Sequence, residues 1–235
     1  MTRIGLAVAS IGMAAALTAC GGGGDDDFTA QSGSKIADQS KKAMEELEAV
    51  KVDGTVKSNG QEVSINMQTN NDGDCSGEIE VGGGKAELVG VGGEIWFKPD
   101  DAFWKASAGD SAEQIQAVVG DKWVVVPKDG GGFGEFCDID DLLDELLTDG
   151  DDDEAKYTKG KTSEVDGDDA VAIEHTDEDG SSTGYVLVDD PHYLVRIEKT
   201  KGDDTGSVTF SEFDEKFDAE APGDDDVIDL DKLAG

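Results

Sequence analysis

From Val52 to Lys98, apolar and polar residues alternate in short runs. Val52, Gly54 and Val56 make one run. Val63, Ile65, Met67 and Thr69 make the next, and Cys75, Gly77, Ile79 and Val81 a third. A period of two belongs to strands that bury one face. Asn59-Gly60, Asn71-Asp72-Gly73 and Gly82 to Gly84 separate the runs, and Asn-Gly is the strongest short hairpin signal. Ala86 to Val91 and Glu94 to Lys98 give two further strands, with Trp96 and Phe97 on opposite faces of the second.

On both sides of this region the period becomes helical. Before it, Ser34 is a candidate N-cap. Ile36, Ala43, Met44, Leu47 and Val50 then share one face, which predicts a helix over about Lys35 to Ala49. After it, Pro99 to Trp104 suggests a helical turn and Ser111 to Val119 a helix with Ile115, Val118 and Val119 apolar. Lys122 to Val126 is a single strand. Ile139, Leu142, Leu143, Leu146 and Leu147 recur at i, i+3, i+4, i+7 and i+8, the best helical stripe in the chain.

The last third alternates again. Strands are predicted over Tyr157 to Val165, Ala170 to Thr176, Gly184 to Val188, His192 to Thr200 and Gly206 to Phe213. Short turns between successive strands force antiparallel pairing. An acidic tail follows from Asp214, in which Val227, Ile228, Leu230 and Leu233 can pack at an edge. An antiparallel sheet of about ten strands twists and curls rather than staying flat. Its concave face needs a cover, and three amphipathic helices are available. The predicted class is α+β: a single curled antiparallel sheet, a half-barrel, covered on its concave face by helices.

Composition changes the picture chiefly at the amino terminus. Met1-Thr2-Arg3 is a short basic start, and Ile4 to Leu17 is apolar, small and uncharged. This is the plan of a bacterial export signal and is too short to span a membrane. Leu17-Thr18-Ala19-Cys20 ends it as a lipobox and resembles the signal of bacterial lipoproteins. The resemblance implies cleavage after residue 19, a diacylglycerol thioether on Cys20, and residence on the extracytoplasmic face of the cell membrane. Residues 20–33, rich in Gly and Asp, are expected to be a flexible tether, leaving 34–235 as one domain with a helical insertion at about 99–147.

The full chain carries 19 Lys+Arg against 55 Asp+Glu, a net charge of −36. Losing residues 1–19 removes only Arg3 and makes it −37. Such acidity repels phosphate backbones and excludes nucleic acid as a partner. Two cysteines remain beside Cys20. In an exported chain Cys75 and Cys137 are expected to pair, with two buried thiols as the alternative. His175 and His192 lack ligand spacing, and Asp149 to Glu154 lacks the glycine and terminal glutamate of an EF-hand, so no metal or other cofactor is expected.

The order of elements resembles the LolA-like superfamily of lipoprotein and lipid carriers, nearest the LppX/LprG type of actinobacterial lipoproteins. The similarity lies in the Lys35–Val50 helix running into Val52-Asp53-Gly54-Thr55-Val56. It lies also in Glu94-Ile95-Trp96-Phe97-Lys98 before the helical insertion and Lys122-Trp123-Val124-Val125-Val126-Pro127 after it. The hairpin Gly184-Tyr185-Val186-Leu187-Val188-Asp189 with His192-Tyr193-Leu194-Val195-Arg196-Ile197 completes it. The resemblance implies a cavity between sheet and helices that holds lipid acyl chains, and it transfers no individual binding residue.

On the pattern alone, Ile65, Met67, Ile79, Leu88, Trp96, Ile115, Leu142 and Leu146 are the candidate lining of that space. The same residues can equally be ordinary core. Gly54, Gly77, Gly90, Gly92 and Gly93 either leave room on the concave face or mark bends. No Gly-x-Ser-x-Gly elbow, activated cysteine or phosphate-cradling loop is present, so an enzyme is not expected. The expected partner is a lipid or other hydrophobic small molecule, bound by a monomer anchored through Cys20. The alternative is an envelope interaction module with a collapsed interior that docks a protein partner.

Overall fold

The computed structural model describes residues 28–58, 60–127, 134–147, 156–176, 180–201 and 205–233. The signal segment, Cys20, the tether up to residue 27 and the acidic stretch Asp149 to Glu154 lie outside the described residues, as does the Leu146 side chain.

The first helix, α1, spans Gly33–Glu45 and is capped by Ser32, whose Oγ accepts from the Lys35 amide. It begins and ends earlier than the pattern suggested. Leu47 turns inward and the chain is already extended at Ala49, where β1 begins. Five strands then meander: β1 (Ala49–Ser58), β2 (Gln61–Asn70), β3 (Cys75–Val81), β4 (Gly84–Val91) and β5 (Glu94–Pro99).

Asp100 caps α2 (Asp101–Ala108), accepting from the Phe103 amide at 2.7 Å. Helix α3 (Ala112–Val119) follows, then β6 (Trp123–Val125), a 3-10 turn over Gly134–Cys137 and α4 (Ile139–Leu147). Asp138 starts α4 by accepting from the amides of Asp140 and Asp141. The carboxyl-terminal strands are β7 (Lys156–Val165), β8 (Asp168–Thr176), β9 (Ser181–Leu187), β10 (Leu194–Lys201) and β11 (Thr205–Ser211).

All of these strands join one open, curled sheet in the order β12-β6-β5-β4-β3-β2-β1-β11-β10-β9-β8-β7. The twelfth strand, β12 (Val227–Ile228), corrects the expected all-antiparallel sheet of about ten strands, because it pairs with β6 in parallel. Its direction follows from its route. Glu212, just after β11, accepts from Lys51 and Gln68 near the middle of the sheet. The tail then crosses to the foot of β6, where Lys122 Nζ donates to the Asp225 carbonyl. Arriving at the foot of β6, it can only run alongside it. Ile228 and Leu230 pack beside Trp104, Ala112, Val119 and Val124, so the tail seals one sheet edge; the short helix α5 (Leu230–Leu233) ends it.

The helices share one face of the sheet. α1 lies over β7 to β10, α2 over β3 to β5, and the Gly134–Cys137 turn over β2 and β3, while α4 packs on α1. Close approach is set by glycine at two points. A Cβ on Gly84 would lie 2.0 Å from the Phe103 amide nitrogen of α2, and one on Gly33 would lie 2.8 Å from the Lys159 amide nitrogen of β7.

Phe28, expected in the tether, is packed. Phe28 is 3% exposed and stacks on His192 with ring centroids 3.6 Å apart. The tether expected over residues 20–33 therefore does not extend to Phe28 and beyond.

Candidate functional site

Strand register assembles the helix-covered face as parallel rows of side chains crossing the sheet. One row runs Phe210, Val52, Met67, Gly77, Leu88, Phe97 and Val124. A second runs Ile197, Val208, Gly54, Ile65, Ile79, Ala86 and Pro99. A third, nearer the strand ends, runs Lys199, Gly206, Val56, Val63, Val81 and Gly84. None of the three contains a carboxylate, in a chain with 55 of them. The opposite face carries Asp53, Glu78, Glu80, Lys85, Glu87 and Lys98, and Lys85 there pairs with Glu78 and Glu80.

The expected lining residues separate into different environments. Met67, Ile79 and Leu88 form one closed cluster with Cys75 and Cys137. Leu142 belongs to the larger cluster under α1, with Ile36, Met44, Val52, Val171 and Phe210. Ile115 packs, half-buried, on the third cluster beside Trp104 and Val119. Met67 is 0% exposed and Leu88 1%, so they offer no surface to solvent or to a water-sized void. They are packing residues of the core. Of the expected lining residues, Ile65 touches both large clusters and keeps exposed surface.

Trp96 is corrected. The register sets Leu88 opposite Phe97 and Val89 opposite Trp96, so Phe97 faces the helices and Trp96 faces the other way. Phe97 meets Trp104 of α2 edge-on at 5.7 Å. The glycines do not leave room on this face. The space beside Gly77 is taken by Met67 Sδ, that beside Gly90 by the sulfurs of Cys75 and Cys137, and that beside Gly54 by Val208. Gly92 and Gly93, both with positive φ, form the β4–β5 turn.

Cys75 and Cys137 are bonded, with a Cα–Cα distance of 4.9 Å. The bridge ties the turn before α4 to β3. Phe136 beside it packs on both large clusters, so this turn is the link between the two halves of the cover.

Val56, Val63, Ile65, Val81, Ile197 and Phe136 keep exposed apolar surface on the inner face, as do Ile95 and Phe97 farther along the sheet. Except for Ile65, none had been singled out as lining, although Val56, Val63 and Val81 sit in the alternating runs. Alternation fixes their face, but only the extent of the covering helices decides which of them stay open. Val56, Val63 and Val81 make an apolar stretch of the third row, with Ile65 and Ile197 beside it in the second. Its far end is closed by α2, whose backbone rests on Gly84. Among the described residues, no helix is long and apolar enough to cross a membrane.

A curled sheet with helices laid along one face is a fold shared with solved structures of mycobacterial proteins. The structure of LprF from Mycobacterium bovis superposes with a TM-score of 0.56 at 15% identity, covering 84% of this chain and 98% of that one. That of the Mycobacterium tuberculosis lipoprotein LppX gives 0.53 at 15% identity, covering 83% and 100%. At such identity the likeness establishes the fold alone. No family model matches the chain, and no curated protein matches it by sequence.

Proposed function

We propose that this protein is an extracytoplasmic lipoprotein, cleaved before Cys20 and held at the membrane by lipid on that residue, that binds a lipid or other long apolar ligand between sheet and helices. It acts as a binding or carrying protein rather than an enzyme. The single observation behind this reading is the half-exposed apolar row Val56–Val63–Val81, flanked by Ile65 and Ile197, in rows without a carboxylate in a chain that carries 55 Asp+Glu. A chain that covers its surface with Asp and Glu keeps an open apolar strip only at some cost in solubility, and such strips mark binding surfaces. The lipobox supports the anchor, and the fold shared with LprF and with the lipoprotein LppX supports the envelope setting. Eight residues from Cys20 to residue 27 span at most about 28 Å when fully extended, so an anchored domain works near its own bilayer.

The test is native mass spectrometry of the anchored protein taken from its own membrane, followed by organic extraction. The expected result is a mature chain beginning at an acylated Cys20, with a co-purifying lipid near one per protein. A delipidated protein that fails to take up any long-chain molecule would overturn the binding reading. A Cys20→Ser chain that stays in the membrane fraction would overturn the anchor.

A further inference from the structure

Lys199 stands where the open apolar row ends. It follows Ile197 on β10 with the same facing, and its cross-strand partners are Ser182 and Gly206. Gly206 is opposite Val56, then come Val63, Val81 and Gly84. Gly206 has no side chain to separate the lysine from the row. A Cβ there would lie 2.6 Å from the Val56 Cα.

Several lysines of the sheet and tail pair with acids. Lys51 pairs with Glu212, Lys85 with Glu78 and Glu80, and Lys232 with Asp229. Lys199 is half-buried and has no ion pair among the described residues. The adjacent Glu198 is on the other face, where Tyr185 donates to it and Arg196 lies 3.8 Å away. An unpaired cation beside an apolar strip, with the strip's other end closed by α2, has the polarity of a single-chain amphiphile. From β10 to β3 is four strand spacings, about 19 Å.

Resting on the apolar-ligand reading above, we propose that Lys199 receives the anionic headgroup, a carboxylate or a phosphate, of a single-chain amphiphile whose acyl chain lies across the strands along Val56, Val63 and Val81 toward Gly84. In a chain of net charge −36, a cation at the end of the apolar row is a place where an anionic headgroup is drawn rather than rejected.

Palmitate, hexadecanol and a lysophosphatidate with one palmitoyl chain are titrated below their micelle concentrations into the mature chain, residues 20–235, carrying Cys20→Ser so that neither anchor lipid nor detergent competes. The expected result is that at least one anion binds roughly five- to tenfold tighter than the alcohol, the worth of one charge-assisted contact at a half-buried site. The tighter of the two anions identifies the headgroup as carboxylate or phosphate. Added salt narrows the gap to the alcohol. Lys199→Gln removes the gap while leaving hexadecanol binding unchanged, and Lys199→Arg retains it. Val63→Asp weakens all three without unfolding the chain. If the alcohol binds as tightly as both anions, or Lys199→Gln weakens alcohol and anion alike, the headgroup assignment is wrong and the apolar-ligand reading stands. If none of the three binds, both are wrong.

Discussion

Met67 and Val63 stand on the same strand, four residues apart, on the same side of the sheet. Met67 is wholly buried; Val63 keeps exposed surface. Neither chemistry nor facing separates them. What separates them is the cover. The row of Val52, Met67 and Leu88 lies beneath the disulfide-tied turn, whereas the row of Val56, Val63 and Val81 runs to the strand ends, with only its Gly84 end under α2. A half-barrel thus divides one apolar face into a core that holds the fold and a margin that is free to hold something else. The division is made by where helices stop, not by residue type.

The largest effect that would break this distinction comes from charge. Leu88→Asp puts a carboxylate into a closed apolar cluster and is expected to cost more than about 4 kcal/mol, leaving little folded protein. Val63→Asp puts the same group on the margin, where water reaches it, and is expected to cost about 1 kcal/mol or less. Urea midpoints of the two variants decide the matter. Equal losses would mean that both rows are core. Next in size is the bridge. Cys75→Ala with Cys137→Ala opens a loop of sequence separation 62 and is expected to cost about 4 kcal/mol. In guanidinium unfolding the midpoint should fall. A loss below about 1 kcal/mol would show that the packing of Phe136 and Ile139, rather than the bridge, holds the cover on the sheet.

Much of this was legible in the chain. Alternation placed Val52, Val63, Ile65, Met67, Ile79 and Val81 on one face, and the stripe Ile139, Leu142, Leu143 fixed the buried side of α4. The pairing of Cys75 with Cys137 followed from the export signal and cysteine number. Trp96 was misplaced because two adjacent aromatics on a strand must face opposite ways, and nothing local says which one meets a helix. Phe97 does, because Trp104 lies over it. The glycines were ambiguous for a similar reason. A missing side chain marks a space, and only the fold shows that Met67 or the disulfide has filled it. Strand β12 is two residues long and owes its pairing to the tail's route, so no periodicity announces it. Nothing in the sequence sets Lys199 apart from the other lysines. Its meaning comes from the register that puts it in line with Val56.

The smallest effect is the sharpest test, because it changes shape least. Valine and threonine are nearly the same size, and replacement exchanges a methyl for a hydroxyl. At Val52, 0% exposed between Met67 and Phe210, the hydroxyl has no water. A buried unpartnered hydroxyl costs about 1–3 kcal/mol, so Val52→Thr should lower the urea midpoint measurably without changing the slope. At Val81 the margin is open and the hydroxyl stays hydrated, so Val81→Thr should move stability by no more than about 0.5 kcal/mol. The same hydroxyl should nevertheless weaken uptake of a long-chain probe, since the chain must strip its water. Stability therefore reports on Val52 and uptake on Val81, and the two readouts should not cross. If Val81→Thr loses as much stability as Val52→Thr while probe uptake is unmoved, the margin is core and is not the site.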